Sequence, residues 1–105
     1  MSDIYHSWAE LSRAESQGVD YAVNYEQRGS AWLVSAPHGG GIEPGTTEIA
    51  RAIASTDLSF YSVDGVKTSG NSILHITSHN FDEPGFLNAA SQHDRILAVH
   101  GCRNS

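Results

Sequence analysis

Ala31-Trp32-Leu33-Val34-Ser35-Ala36-Pro37-His38-Gly39-Gly40-Gly41-Ile42-Glu43-Pro44-Gly45-Thr46-Thr47-Glu48 runs from an apolar stretch through a glycine-rich loop into a helical pattern. Residues 31–36 are almost continuously apolar, as in a central strand covered on both faces. Three successive glycines can adopt backbone angles closed to other residues, which lets Glu43 curl back toward His38. Thr46 or Thr47 is expected to cap a helix, with Glu48 in its first turn. Ile49, Ala50, Ile53 and Ala54 are its expected buried stripe.

Working outward, Ser7 and Glu10 have capping-box spacing for a short helix to about Glu15, broken by Gly18. Tyr21, Val23 and Tyr25 alternate with polar residues as in a half-buried strand, and Arg28-Gly29-Ser30 reads as a turn. Further strands are expected at Leu58–Val63, Ile73–Thr77 and Arg95–Val99. Asp64-Gly65 reads as a turn, and 68–71 and 80–85 as polar loops. A helix is expected over Phe86–Gln92. This alternation predicts a single α/β domain over residues 1–105, an open mixed sheet with flanking helices. The last strand is followed by no recognisable element. Such strands are normally covered by a further helix, so the fold is expected to be incomplete on its C-terminal side.

Composition narrows the function classes. The chain has 105 residues, 39% of them hydrophobic, enough for one modest core. Its formal net charge is -6 with only six Lys and Arg, which argues against a nucleic-acid partner. No apolar run approaches the roughly 20 residues of a membrane span. The N-terminus lacks a basic region followed by an apolar stretch, so no signal peptide is expected and synthesis is assigned to the cytoplasm. Cys102 is the single cysteine, which rules out an intramolecular disulfide.

In open α/β sheets ligands bind beyond the carboxyl ends of the strands. His38 follows one such end and His100 closes another. Two neutral imidazoles and one carboxylate would give a Zn²⁺ centre of net charge near +1, with a fourth position open to water. That centre could polarise a carbonyl and bring the pKa of bound water to roughly 7. From spacing alone the alternatives stay open. His38 reads equally as a loop histidine satisfied by backbone, and His100 by itself as a core histidine. A phosphate-binding loop is disfavoured, since no Lys is present and the spacing is wrong. His75 reads as a hydrogen-bonded core residue. His79 reads as a strand-end residue that could face the site, His93-Asp94 as a helix C-terminal pair, and His6 as surface. Asp82-Glu83 reads as a solvated acidic pair that could also accept from a ligand imidazole. Glu48 reads as a helix-start charge. Cys102 would need an activating base to serve as a nucleophile, and none is indicated.

At these residues the chain resembles the phage-type poly-γ-glutamate hydrolases, small zinc enzymes with a zinc-carboxypeptidase-like fold. The resemblance covers nearly the whole chain. It is carried by residues 36–46, Leu58-Ser59-Phe60-Tyr61-Ser62, Leu74-His75-Ile76-Thr77-Ser78, Phe81-Asp82-Glu83-Pro84 and Ala98-Val99-His100-Gly101. It implies His38, Glu43 and His100 as zinc ligands and Zn²⁺ as cofactor. It also implies hydrolysis of γ-glutamyl amide bonds in poly-γ-glutamate, an acidic capsule polymer, with release of the protein when a host lyses. Family members are longer, so the resemblance implies that this chain stops soon after the third ligand. A general-base glutamate is expected in the part beyond, and none is assigned here, with Glu83 the one substitute considered. Arg51, Arg95 and Arg103 are the candidate contacts for substrate carboxylates. Two other functions fit the same triad: a non-catalytic binder of metal or polymer, and a carboxypeptidase-type hydrolase of other peptides.

Overall fold

A computed structural model describes residues 3–101 of the chain. Four strands form one mixed sheet: β1 (Tyr21–Glu26), β2 (Trp32–Gly40), β3 (Ser59–Gly65) and β4 (Arg95–Ala98), in the order β1-β3-β2-β4. β2 is central and parallel to both neighbours, while β1 closes one edge antiparallel to β3. Three helices flank the sheet: α1 (Trp8–Ala14), α2 (Thr46–Ala54) and α3 (Pro84–Ser91). The α/β class and the open mixed sheet agree with the sequence reading.

Alternation along the strands builds a core on each face. Leu33, Tyr61 and Val63 point to one side, where they meet Trp8 and Leu11 of α1, Ala89 of α3 and the loop residues Leu74, Ile76 and Phe81. Val34, Ala36 and Phe60 point to the other side and pack on Ala50 and Ala54 of α2. Small residues on both partners let α2 approach the sheet closely. The expected stripe of α2 is therefore half right. Ala50 and Ala54 are buried, but Ile49 and Ile53 are 53% and 44% exposed.

Two further expectations change. Thr46 and Thr47 lie inside the first turn of α2, and Gly45, in the left-handed region at φ 91°, takes the cap position. Thr46 Oγ1 instead donates to the Glu43 and His38 carbonyls, at 2.8 and 3.3 Å. The strand expected at 73–77 is not one. The chain makes a 3-10 turn over Asn71–Leu74 and then runs extended, unpaired with the sheet, to Thr77. Gly70 at φ 78° turns the chain into this segment, and the Asn71 side chain closes the loop through the Lys67 N–H and carbonyl. Leu74 and Ile76 are buried because the loop lies across the sheet, so the apolar alternation reports burial rather than pairing.

Candidate metal centre

His38 is carried by the last residues of β2, where the pairing with β3 shifts register between Ala36 and Gly39. The shift turns the backbone as it leaves the sheet. Gly39 packs against Thr47 and Asp64, and at Gly40 an added Cβ would stand 2.5 Å from the Gly65 carbonyl. Gly40 also sits at φ 59°. Backbone crowding and the positive φ both require glycine there. The Glu43 N–H then donates to the His38 carbonyl at 2.9 Å, folding the loop onto its own start. This local closure brings the Glu43 carboxylate to 3.4 Å from His38 Nδ1.

The electrostatics of that pair are informative. His38 is 1% exposed, and its Nε2 lies 2.5 Å from the Ile76 carbonyl, which can only accept. The proton of the neutral ring is therefore on Nε2, and the Nδ1 lone pair faces Glu43. Among the described residues Nδ1 has no hydrogen-bond partner. Burial, together with the neighbouring His75 and His100 rings, keeps the His38 pKa below its ordinary value despite the Ile76 bond and the Glu43 charge. A buried lone pair opposed to a carboxylate is repulsive unless a cation sits between them. The donor set fits a metal ion on chemical grounds.

His100 follows β4. Its Nδ1 lies 3.9 Å from Glu43 Oε1, and its ring centroid is 5.4 Å from that of His38. The next residue, Gly101, donates its N–H to Glu43 Oε1 at 3.0 Å. The structure thus sets His100 beside Glu43 and His38, but outside the group of donor atoms that all lie within 4.8 Å of one another. It adds His75, which the sequence placed in a strand core. The His75 ring stacks on His38 with centroids 4.1 Å apart, and its Nε2 is 3.8 Å from Glu43 Oε2. Among the described residues, donor atoms of His38, Glu43 and His75 form a cluster lying within 4.8 Å of one another. The one sequence signal for His75 was its place within a motif shared with the family.

Other candidates fall away from the centre. Glu83 caps α3, accepting from the Gly85 and Phe86 N–H groups at 2.8 and 2.9 Å and from the Tyr61 hydroxyl at 2.6 Å. Both its oxygens are engaged, so it is no free base. Burial first, and then Glu83, push the Tyr61 pKa up, so its hydroxyl stays a donor. Asp82 accepts from the Trp8 N–H at 2.7 Å and ties α1 to the loop. Arg51 reaches Glu26 at 2.8 Å and covers the Phe60 ring, while Arg95 stands over Trp32. Both cations lie where β2, β3 and β4 begin, opposite the end that carries His38. They are not placed to meet a substrate there. His79 is exposed in the 3-10 turn Ser78–Asn80, and His93 Nδ1 lies 2.7 Å from the Ala89 carbonyl at the end of α3. Cys102 and Arg103 lie outside the described residues.

The model for the family described as poly-gamma-glutamate hydrolase matches residues 5–105. This chain belongs to that family. UPF0714 protein YndL of Bacillus subtilis (strain 168) is 46% identical over 99 residues, which make up 94% of this chain and 38% of YndL. The SPbeta prophage-derived UPF0714 protein YoqZ of the same organism is 42% identical over 104 residues, 99% of this chain and 37% of YoqZ. Among solved structures, bacteriophage poly-gamma-glutamate hydrolase superposes with a TM-score of 0.94 at 36% identity, over 98% of this chain and 50% of that one. The zinc-free YNDL-apo structure gives a TM-score of 0.87 at 44% identity, over 92% and 47%. The family member described here therefore spans about two-fifths of these curated relatives and about half of the solved chains. Among the described residues no helix is long and apolar enough to cross a membrane.

Proposed function

We propose that this chain is a zinc-dependent hydrolase module for the γ-glutamyl amide bonds of poly-γ-glutamate, with His38, Glu43 and His100 holding the ion. The observation that carries this reading is the buried, unpartnered Nδ1 of His38 facing the Glu43 carboxylate at 3.4 Å. Family membership and the zinc-free form of a related structure support it. Zinc at this position would act as a Lewis acid on the amide carbonyl and make water nucleophilic near neutral pH.

The chain's own residues have separable roles. The Ile76 carbonyl fixes the His38 tautomer, so the lone pair on Nδ1 is permanently directed at the site. Gly101 N–H orients Glu43 Oε1. Phe81, edge-on to His38 at 6.1 Å between centroids, walls the site from the core side. Arg51 and Arg95 lie at the far end of the sheet, so neither is placed to draw an acidic polymer to the ion. No general base is assigned among the described residues.

The test is depolymerisation of poly-γ-glutamate by the zinc-loaded chain, followed by size-exclusion chromatography, with α-linked polyglutamate and the His38→Ala variant in parallel. Cleavage of the γ-linked polymer alone, lost in the variant, supports the proposal. Zinc binding without cleavage makes the chain a metal-binding module that does not turn over. Equal cleavage of both polymers makes it a less selective peptide hydrolase.

A further inference from the structure

Between Ala36 and Gly39 the central strand β2 advances three residues while β3 advances two, from Ser62 to Asp64. The extra residue bulges out just where the chain carries Pro37 and His38. A slip of one residue would turn His38 toward the opposite face of the sheet, so the register beyond the bulge has to be held. Pairing resumes at Gly39 with Asp64, and a short chain of side-chain bonds meets it there. The Gly40 N–H donates to Thr47 Oγ1 at 3.2 Å, and the Thr47 hydroxyl donates to Asp64 Oδ1 at 2.5 Å. Asn24 Nδ2 donates to Asp64 Oδ2 at 3.0 Å and to Ser62 Oγ at 3.3 Å. A carboxylate can only accept, so Asp64 fixes the direction of these bonds. Thr47 turns its proton to Asp64 and keeps a lone pair for Gly40. Thr47 Oγ1 and Asp64 Oδ1 also press on Gly39, where an added Cβ would run into both. β1, β3, α2 and the glycine loop are tied at this one point.

We propose that Asp64 and Thr47 are positioning residues for the metal centre, locking the register of the β2 bulge so that His38 and Glu43 converge. The inference rests on the zinc reading above and extends it to two side chains that are not donors to the ion. They act through Gly39 and Gly40, which follow His38 directly. From there the loop folds back, with the Gly41 N–H on the Gly65 carbonyl and the Glu43 N–H on the His38 carbonyl, both at 2.9 Å. Without the Thr47 hydroxyl, Gly40 loses this acceptor and the start of the loop is free to shift. Part of the binding free energy then goes into re-ordering the loop, and affinity falls although neither donor has changed. No donor is added, so the fourth position of the ion stays open to water.

The experiment measures zinc affinity of the full 105-residue chain by competition with a chromophoric chelator, and hydrogen exchange of the Gly40 amide in the zinc-free chain by NMR. Compared are wild type, Thr47→Val, Thr47→Ser, Asp64→Ala, Asp64→Asn and His38→Ala, each checked for fold by circular dichroism. Ser7→Ala, which removes the cap of α1, serves as a variant weakened away from the loop. Thr47→Val keeps the side-chain shape and removes the hydroxyl. It is expected to speed Gly40 exchange and to weaken zinc roughly tenfold, the lower end for residues that act through a ligand. Thr47→Ser, which keeps the hydroxyl, should restore both to near wild type. Asp64→Ala should behave as Thr47→Val. Asp64→Asn still accepts from Thr47, so it should lose less, and it stands in if the alanine variant fails to fold. Wild-type zinc affinity in Thr47→Val would overturn the positioning role whatever its stability. An equal loss of affinity in Ser7→Ala would overturn it too, since lower stability alone would then explain the effect. Wild-type affinity in His38→Ala would instead sink the zinc reading, and Gly40 exchange in Thr47→Val would still decide whether the lock exists.

Discussion

β2 and β4 are parallel neighbours that each deliver a histidine to the same place, and they hold it very differently. Seven of the nine residues of β2 are buried, and strands lie on both sides of it. All four residues of β4 are exposed at the edge of the sheet. His38 is sealed in, with one nitrogen fixed by a backbone carbonyl. His100 has an exposed ring whose other nitrogen is 3.5 Å from the Ser78 hydroxyl. A donor on the central strand is positioned by the core. The histidine that follows the edge strand has only Glu43 and Ser78 as polar side-chain neighbours among the described residues.

The comparison can be broken most directly through stability. Leu33 of β2 is fully buried, so Leu33→Ala should cost about 2–5 kcal/mol in denaturant unfolding. Leu97 of β4 is 39% exposed, so Leu97→Ala should cost under about 1 kcal/mol. Equal losses would mean that β4 is as firmly packed as β2. The same contrast should appear in metal binding. His38→Ala is expected to weaken zinc by on the order of a hundredfold or more, a change of about 2.7 kcal/mol. His100→Ala is expected to cost less, because its ring is not preset. Calorimetric titration ranks the two, and the reverse order would sink the idea that the core presets His38.

A smaller effect tests the anchoring of α3 beneath the site. Tyr61→Phe removes one bond from the buried Glu83 carboxylate while keeping the ring, and should cost about 1–3 kcal/mol in thermal unfolding. No change in Tm would show that the two N–H groups of α3 suffice for Glu83. The smallest effect is on pH. His38 is held below its ordinary 6.5 in the fold, so below that value the unfolded chain binds more protons than the folded one. The stability from neutral His38 is complete above pH 6.5 and is lost as pH falls through its folded value. In metal-free protein the unfolding free energy should decline from pH 7 toward 5, by at most about 1.4 kcal/mol per pH unit for this one group, and Tm should fall with it. His38→Gln, which still donates to Ile76, should flatten the decline, and an unchanged slope would assign it to other groups.

Much of the site was legible because its first half is local. The apolar run, three glycines and a carboxylate five residues past a histidine describe a strand that ends in a folded-back loop, and the Glu43 N–H to His38 carbonyl bond realises it. The cap of α1 was legible for the same reason, since Ser7 Oγ accepts from the Glu10 N–H at 3.2 Å. The Glu10 carboxylate, however, reaches back to the His6 N–H rather than to that of Ser7. His75 was not legible. Its neighbours Leu74 and Ile76 are buried by a loop laid over the sheet, and a period of two cannot separate that burial from a strand. The surface of α2 misled similarly, because the sheet face formed by Val34, Ala36 and Phe60 selects the alanines and turns Ile49 and Ile53 outward.

The sequence by itself therefore determined the α/β alternation, the loop that joins His38 to Glu43, and the family. These rest on residues near one another along the chain, where backbone geometry and periodicity act directly. Tertiary structure alone decided that His75 stacks on His38, that Asp3 bonds to it across 72 residues of chain, and that Glu83, Arg51 and Arg95 are committed elsewhere. Those outcomes depend on which distant segments pack together, and no local pattern of residues encodes a contact made only after the core has closed.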